Sequence, residues 1–132
     1  MKNAYIIGGK GVISDDMMSK AVKALGLSKA TRVSGSTRYE TCVEVNKQFS
    51  DDMNGDMLCV ATGTNFPDAL AGGVYASKNS APLFLVDGKA TPLSLSDKQK
   101  TYLKAKNAAI FAIFGGKGVV PDDHITEITK NA

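Results

Sequence analysis

The chain has 132 residues, with 16 basic and 13 acidic side chains and a net charge of +3. That length fits one domain with a real core. A content of 43% hydrophobic and 22% charged residues is that of a globular chain, not a disordered or fibrous one. No apolar run approaches the roughly 20 residues of a membrane helix, and the mild positive charge fits an anionic partner without demanding one.

Met1-Lys2 leads at once into strand and glycine, with no signal-type apolar stretch. A cytoplasmic protein and a domain of a longer secreted chain both read this way. The first strand is Tyr5-Ile-Ile, ending in Gly8-Gly-Lys-Gly11. The pattern then predicts helix at 15–26, loop at 27–36 and helix at 37–50, with Ser36 or Thr37 as cap. A strand at 57–62 runs into the polar turn Gly63-Thr-Asn65. A helix at 67–78 follows, with Pro67 at its start and Asp68 in its first turn, where a carboxylate offsets the helix dipole. Gly72-Gly73 inside that helix costs propensity, about 1 kcal/mol per glycine, and points to close packing on a neighbour.

The remaining elements are strand 82–86, helix 96–106, strand 109–114 and helix 121–130. Strand starts at 57, 82 and 109 leave room for a helical crossover each time, so the strands run parallel. Their continuous apolar runs imply burial on both faces. The expected class is α/β: a parallel sheet of about four strands flanked by helices in three layers. In such sheets ligands bind at the carboxyl ends of the strands, which makes the 63–65 turn the first place to look.

An internal echo runs through the chain. Tyr5-Ile-Ile-Gly-Gly-Lys-Gly-Val-Ile-Ser-Asp-Asp16 matches Ala112-Ile-Phe-Gly-Gly-Lys-Gly-Val-Val-Pro-Asp-Asp123 at an offset of 107 residues. The chain reads as one repeat preceded by the tail of another, within a tandem array.

Candidate sites are few. Gly8-Gly9-Lys10 and Gly115-Gly116-Lys117 place glycine N–H groups where they could cradle phosphate, although the spacing is neither the Rossmann nor the P-loop pattern. A tight turn needing positive φ is the better account of them. Arg32 and Arg38 bracket Val33-Ser-Gly-Ser-Thr37; Arg38 can pair with Glu40 or Asp68, or grip an anionic ligand with its planar fork. Lys98, Lys100, Lys104 and Lys106 read as a solvated helix face. Cys42 and Cys59 read as small core residues and His124 as a surface residue. There is no Ser/His/Asp set, no paired carboxylates in a cleft arrangement and no cluster of metal ligands. The basic residues do not interleave with aromatics as on a nucleic-acid surface.

Four motifs occur in order: Arg38-Tyr-Glu-Thr41, Gly63-Thr-Asn-Phe-Pro-Asp-Ala-Leu70, the stretch ending Ala81-Pro-Leu-Phe-Leu85, and Phe114-Gly-Gly116. Together they resemble the cell wall binding repeat type 2 family of Gram-positive surface proteins, clostridial ones among them. The resemblance makes 30–132 one full repeat and 4–29 the end of the repeat before. It implies a Toprim-like unit, related to flavodoxin-like three-layer folds, three of which pack around a pseudo-threefold axis. It implies a non-catalytic anchor at the cell surface, without cofactor or metal, part of a longer secreted protein. The implied partners are an anionic, teichoic-acid-like wall glycopolymer and other repeats of the same kind, with a homotrimer as one outcome for an isolated repeat. Nucleic acid and membrane insertion are not implied. The family's polymer-contacting arginine falls on Arg38, with Arg32 its neighbour, and its turn residues fall on Asn65 and Asp68. Its Pro-Ile-Leu-Leu motif falls on Pro82, Leu83, Phe84 and Leu85, where Leu and Phe replace the first Ile and the middle Leu. Alternative readings are a fragment of a cell-wall hydrolase, either an N-acetylmuramoyl-L-alanine amidase or a protease, and a flavodoxin-like nucleotide or phosphate binder using the glycine turns. A Toprim nuclease is disfavoured, since its Glu and Asp-x-Asp metal ligands are missing at the strand ends.

Overall fold

The structure, a computed structural model, describes residues 3–53 and 55–132; the Met1-Lys2 start lies outside them. The described elements are β1 (Tyr5–Ile7), α1 (Asp15–Ala24), β2 (Thr31–Val33), α2 (Arg38–Gln48), a 3-10 turn (Ser50–Asp52), β3 (Met57–Thr62), α3 (Phe66–Lys78), β4 (Leu83–Val86), α4 (Asp97–Lys106), β5 (Ile110–Phe114) and α5 (Asp122–Lys130). Helix starts follow the expected chemistry. Ser14, Thr37 and Asn65 accept backbone N–H groups at their helix starts, and Ser96 with Gln99 forms a capping box.

All strand pairs are parallel, and the flanking helices make the expected α/β class. The strands do not form one sheet of four. Three pair in the order β4-β3-β5, and β1 pairs separately with β2. The expected loop at 27–36 contains β2. Its three residues, Thr-Arg-Val, are too few to carry a strand period, and only the pairing with β1 makes them a strand.

The central strand explains the apolar runs. Leu58, Val60, Phe84 and Val86 face a core with Val43 of α2, Leu103 of α4 and Ile128 of α5. Cys59 faces the opposite way, against Ala76 of α3 and Ala81. Phe84 stacks on Tyr102 with ring centroids 6.2 Å apart. Gly72 lets α3 settle on β5: a Cβ there would stand 3.0 Å from the Phe114 ring.

His124 corrects its expected surface position. It lies one turn before Ile128 on the buried face of α5, is fully buried, and holds the Ala90 carbonyl through Nε2 at 2.6 Å. A polar side chain at that spacing on a short terminal helix gives no sequence sign of burial.

The two outer edges of the large sheet differ. On β4, side chains close the edge. Asn46 Nδ2 and Cys42 Sγ reach the Leu83 carbonyl at 2.8 and 3.0 Å, and Gln99 Nε2 donates to Leu85 O at 3.1 Å. Comparable cover is not seen on β5 among the described residues. The buried amides of α2 and α4 thus complete the backbone hydrogen bonding of β4. Asn46→Ala is expected to lower stability by about 1–2 kcal/mol through the weakened Leu83 carbonyl, and Phe84→Ala by about 3–5 kcal/mol through a core cavity. Urea unfolding of the two variants checks both values.

Candidate functional site

Because the three strands run parallel, the carboxyl ends of β3, β4 and β5 emerge on one side. Arg38 opens α2 at that side. Its Nη1 donates to Gly63 O at 2.8 Å, so the guanidinium clamps the turn after β3. The clamp needs glycine at 63, where a Cβ would stand 2.7 Å from Cε1 of Tyr39. Arg38 forms no ion pair among the described residues. Glu40, one expected partner, instead accepts from Ser36 N at 3.1 Å and lies 3.7 Å from Lys98 Nζ. A guanidinium has five donors, so most of those on Arg38 are free to meet a ligand.

The turn itself is tied from within. Thr62 and Thr64 hydroxyls lie 2.8 Å apart, Thr64 N donates to Thr62 Oγ1 at 3.2 Å, and Asn65 Oδ1 accepts from Phe66 N at 3.0 Å. Asp68, one turn on, abuts the turn after β5: a Cβ on Gly115 would sit 3.0 Å from Asp68 Oδ2. Sequence reasoning missed two neighbours, Tyr39 and Asp87. Partial burial and then the Asp87 charge push the Tyr39 phenol above its ordinary range, against the pull of Arg38. The Asp87-Gly88 pair at the end of β4 was the available signal, since it is a turn dipeptide at a strand's carboxyl end.

Beside Arg38 a cleft of about 570 Å³ runs along β4 between α2 and α3, walled by Cys42, Val45, Ala76, Leu83 and Leu85. Of the expected β4 residues, Leu83 and Leu85 line this cleft, whereas Pro82 and Phe84 are buried. Asn65 caps α3 and Asp68 stands in its first turn; neither lines the cleft.

Arg32 stands apart from this site. Its Nη1 donates to Gly8 O at 2.7 Å and its Nη2 to Asp15 Oδ1 at 3.1 Å, with the side chain only 16% exposed. The two glycine turns share one construction. Gly8 and Gly115 have φ of 131° and 120°. Gly9 O accepts from Val12 N and Ile13 N, as Gly116 O does from Val119 N and Val120 N. Lys10 pairs with Asp15 at 2.7 Å, as Lys117 does with Asp122 at 2.6 Å. Those N–H groups point into the turn, and each lysine already faces a carboxylate. Among the described residues, no group of three or more His, Cys, Asp or Glu is placed to hold a metal.

Comparison with known proteins now defines the family. The model of cell wall binding domain 2 (CWB2) matches residues 32–125, more than half of the chain. The chain belongs to the cell wall binding domain 2 family. It is similar to the N-acetylmuramoyl-L-alanine amidase LytC of Bacillus subtilis (strain 168), at 28% identity over 91% of this chain and 22% of that protein. It is also similar to the amidase enhancer of the same organism, at 30% identity over 76% of this chain and 14% of that protein. The chain therefore spans under a quarter of these curated relatives. Among solved structures, Cwp6 from Clostridium difficile superposes with a TM-score of 0.79 at 28% identity, over 99% of this chain and 20% of that one. Cwp8 from the same species gives 0.70 at 30% identity, over 97% and 20%. Cell-wall binding and a place among secreted cell wall proteins follow from the family, and no helix among the described residues is long and apolar enough to cross a membrane.

The thiols of this CWB2 chain are buffered against reaction. Burial pushes Cys42 up to about 11 and raises Cys59 as well. At pH 8 both are expected to stay protonated and react with a thiol reagent at least tenfold more slowly than after denaturation. Absorbance on titration with a disulfide dye checks this.

Proposed function

We propose that this chain is a non-catalytic anchoring module that binds an anionic, teichoic-acid-like wall polymer, with Arg38 as the principal contact. The observation that carries the reading is the Arg38 guanidinium at the strand-end edge, held by one neutral carbonyl and unpaired among the described residues. A fixed fork with unused donors suits a phosphate in geometry and charge. The exposed Asn65 and the Thr64 carbonyl beside it offer polar contacts to the polymer's hydroxyl groups, while Leu83 and Leu85 give the cleft an apolar floor for its sugar or polyol backbone. Pro82 and Phe84 serve by holding β4 in place, and Arg32 and the two lysine turns serve the fold.

The module is one repeat, 30–132, preceded by the tail of another, 4–29, within a longer surface protein. Linked repeats on a polymer of repeating phosphates multiply weak contacts through effective concentration. The names of the relatives suit this arrangement, since an amidase whose length this chain covers to 22% has ample room for its chemistry elsewhere.

Co-sedimentation with Gram-positive walls tests the reading. Binding is expected to fall after the anionic glycopolymer is stripped, and to weaken strongly between 0.15 and 1 M salt as the screening length drops from about 8 to about 3 Å. Arg38→Ala is expected to weaken binding roughly tenfold or more, the scale of a lost charged hydrogen bond, with the melting curve little changed. Unaltered binding to stripped walls, or by the folded Arg38→Ala variant, contradicts it. Release of soluble wall fragments by the purified chain would favour a hydrolase instead.

A further inference from the structure

We propose that a hollow between α4 and α5, ringed by Lys100, Lys104 and Lys130, is a second contact for phosphate groups, separate from Arg38, so that one module grips an anionic polymer at two places. The ligand class rests on the function proposed above; the placement of the lysines does not.

The lysines of α4 do not form one solvated face. Lys98 turns to α2, with its Nζ 3.7 Å from Glu40 and from Glu44. Lys106 Nζ is tied to the Met53 and Gly55 carbonyls. Lys100 and Lys104 form no ion pair among the described residues. With Asp97 and Thr101 they hold positions i, i+3, i+4 and i+7, one stripe of the helix. That stripe lines a hollow of about 430 Å³, which Lys130 and Asn131 at the end of α5 close from the other side. Lys130 is likewise unpaired among the described residues.

The hollow thus brings three free ammonium groups together from two helices. Asp97 is the one side-chain carboxylate on its wall, and it stands seven residues, about 10 Å of helix, from Lys104. Glu127, one turn before Asn131 on α5, is engaged by Asn131 Nδ2 at 3.0 Å. Service to the fold does not account for the set. Lys104 and Lys130 lie in the last turns of their helices, where a cation offsets the dipole. Lys100 does not, and at i, i+4 it repels Lys104 along the helix. A bound anion relieves that repulsion. An ammonium on a flexible stem meets a phosphate as a point charge from any side, unlike the fixed fork of Arg38.

The two contacts are separated by α4 itself. Its Lys98 side faces α2, the helix that Arg38 opens, and its other side faces α5. A helix is about 10 Å across. A short phosphate chain therefore fills one site at a time, whereas a long polymer spans both and gains from effective concentration.

Inorganic tripolyphosphate and purified wall polymer test the two sites apart. In an NMR titration with tripolyphosphate at low salt, the side-chain signals of Lys100, Lys104 and Lys130 should shift together, in the Arg38→Ala variant as in the unmodified chain. Lys78, an exposed lysine in the last turn of α3 with no ion pair among the described residues, should move far less. The triple variant Lys100→Gln, Lys104→Gln, Lys130→Gln should melt no lower than the unmodified chain. It should bind the long polymer at least tenfold more weakly and keep the Arg38 response to tripolyphosphate. Equal shifts at Lys78, or none at the three lysines, overturn the proposal whatever the variant does. So does a folded triple variant with unaltered polymer affinity. Unaltered polymer binding by Arg38→Ala, with the lysine shifts present, overturns the Arg38 reading and supports this one.

Discussion

The double parallel pairing of β3 is the constraint on which the rest of the molecule depends. Its six residues bond to β4 on one side and β5 on the other, and five of them are buried. Parallel pairing forces each return through a helix, which covers both faces. It also delivers the turns after β3, β4 and β5 to one side of the sheet. Arg38 then fastens the middle turn from α2. The candidate site is thus a by-product of strand direction, its turn tied from within by Thr62, Thr64 and Asn65 and from α2 by Arg38.

Much of this was legible in the sequence because the signals were long. The runs Met-Leu-Cys-Val-Ala-Thr and Ala-Ile-Phe-Ala-Ile-Phe, spaced for helical crossovers, specified β3, β5 and their direction. Thr37, Asn65 and Ser96 marked helix starts by local hydrogen-bond chemistry that needs no tertiary context. The short strand β2 and the split into two sheets were not legible, because three residues of β2 depend on a partner 26 residues earlier in the chain. His124 was misread for a related reason: the Ala90 carbonyl that its ring holds lies 34 residues earlier in the chain, outside any local pattern. At the site, Arg38 and the 63–65 turn were found from sequence, but Tyr39 and Asp87, which influence each other across α2 and the end of β4, were missed, since the Asp87-Gly88 dipeptide marks a turn and not its partner.

The two arginines show how structure separates residues that sequence groups. Arg32 and Arg38 stand six positions apart in one polar segment. Arg32 is spent on Gly8 O and Asp15, largely out of solvent. Arg38 is exposed and bonded to a single carbonyl. The second kind of arginine suits an anionic ligand better than the first, because an already paired and desolvated guanidinium gains little from a new anion. Arg32 instead stands where the Gly8 turn meets α1, tying the two together. The split sheet sets this segment apart in the same way: β1–α1 echoes the sequence of the chain's own β5–α5 ending and pairs with β2 alone.

The most direct measurement of the account is an amide and arginine side-chain NMR titration of the chain with purified anionic wall polymer. The account predicts shift changes at the Arg38 guanidinium and the backbone amides of Gly63 to Phe66, spreading to Leu83 and Leu85, with Arg32 unmoved. Changes centred on Arg32 and the 8–10 and 115–117 turns, or none at Arg38 under saturating polymer, would contradict it.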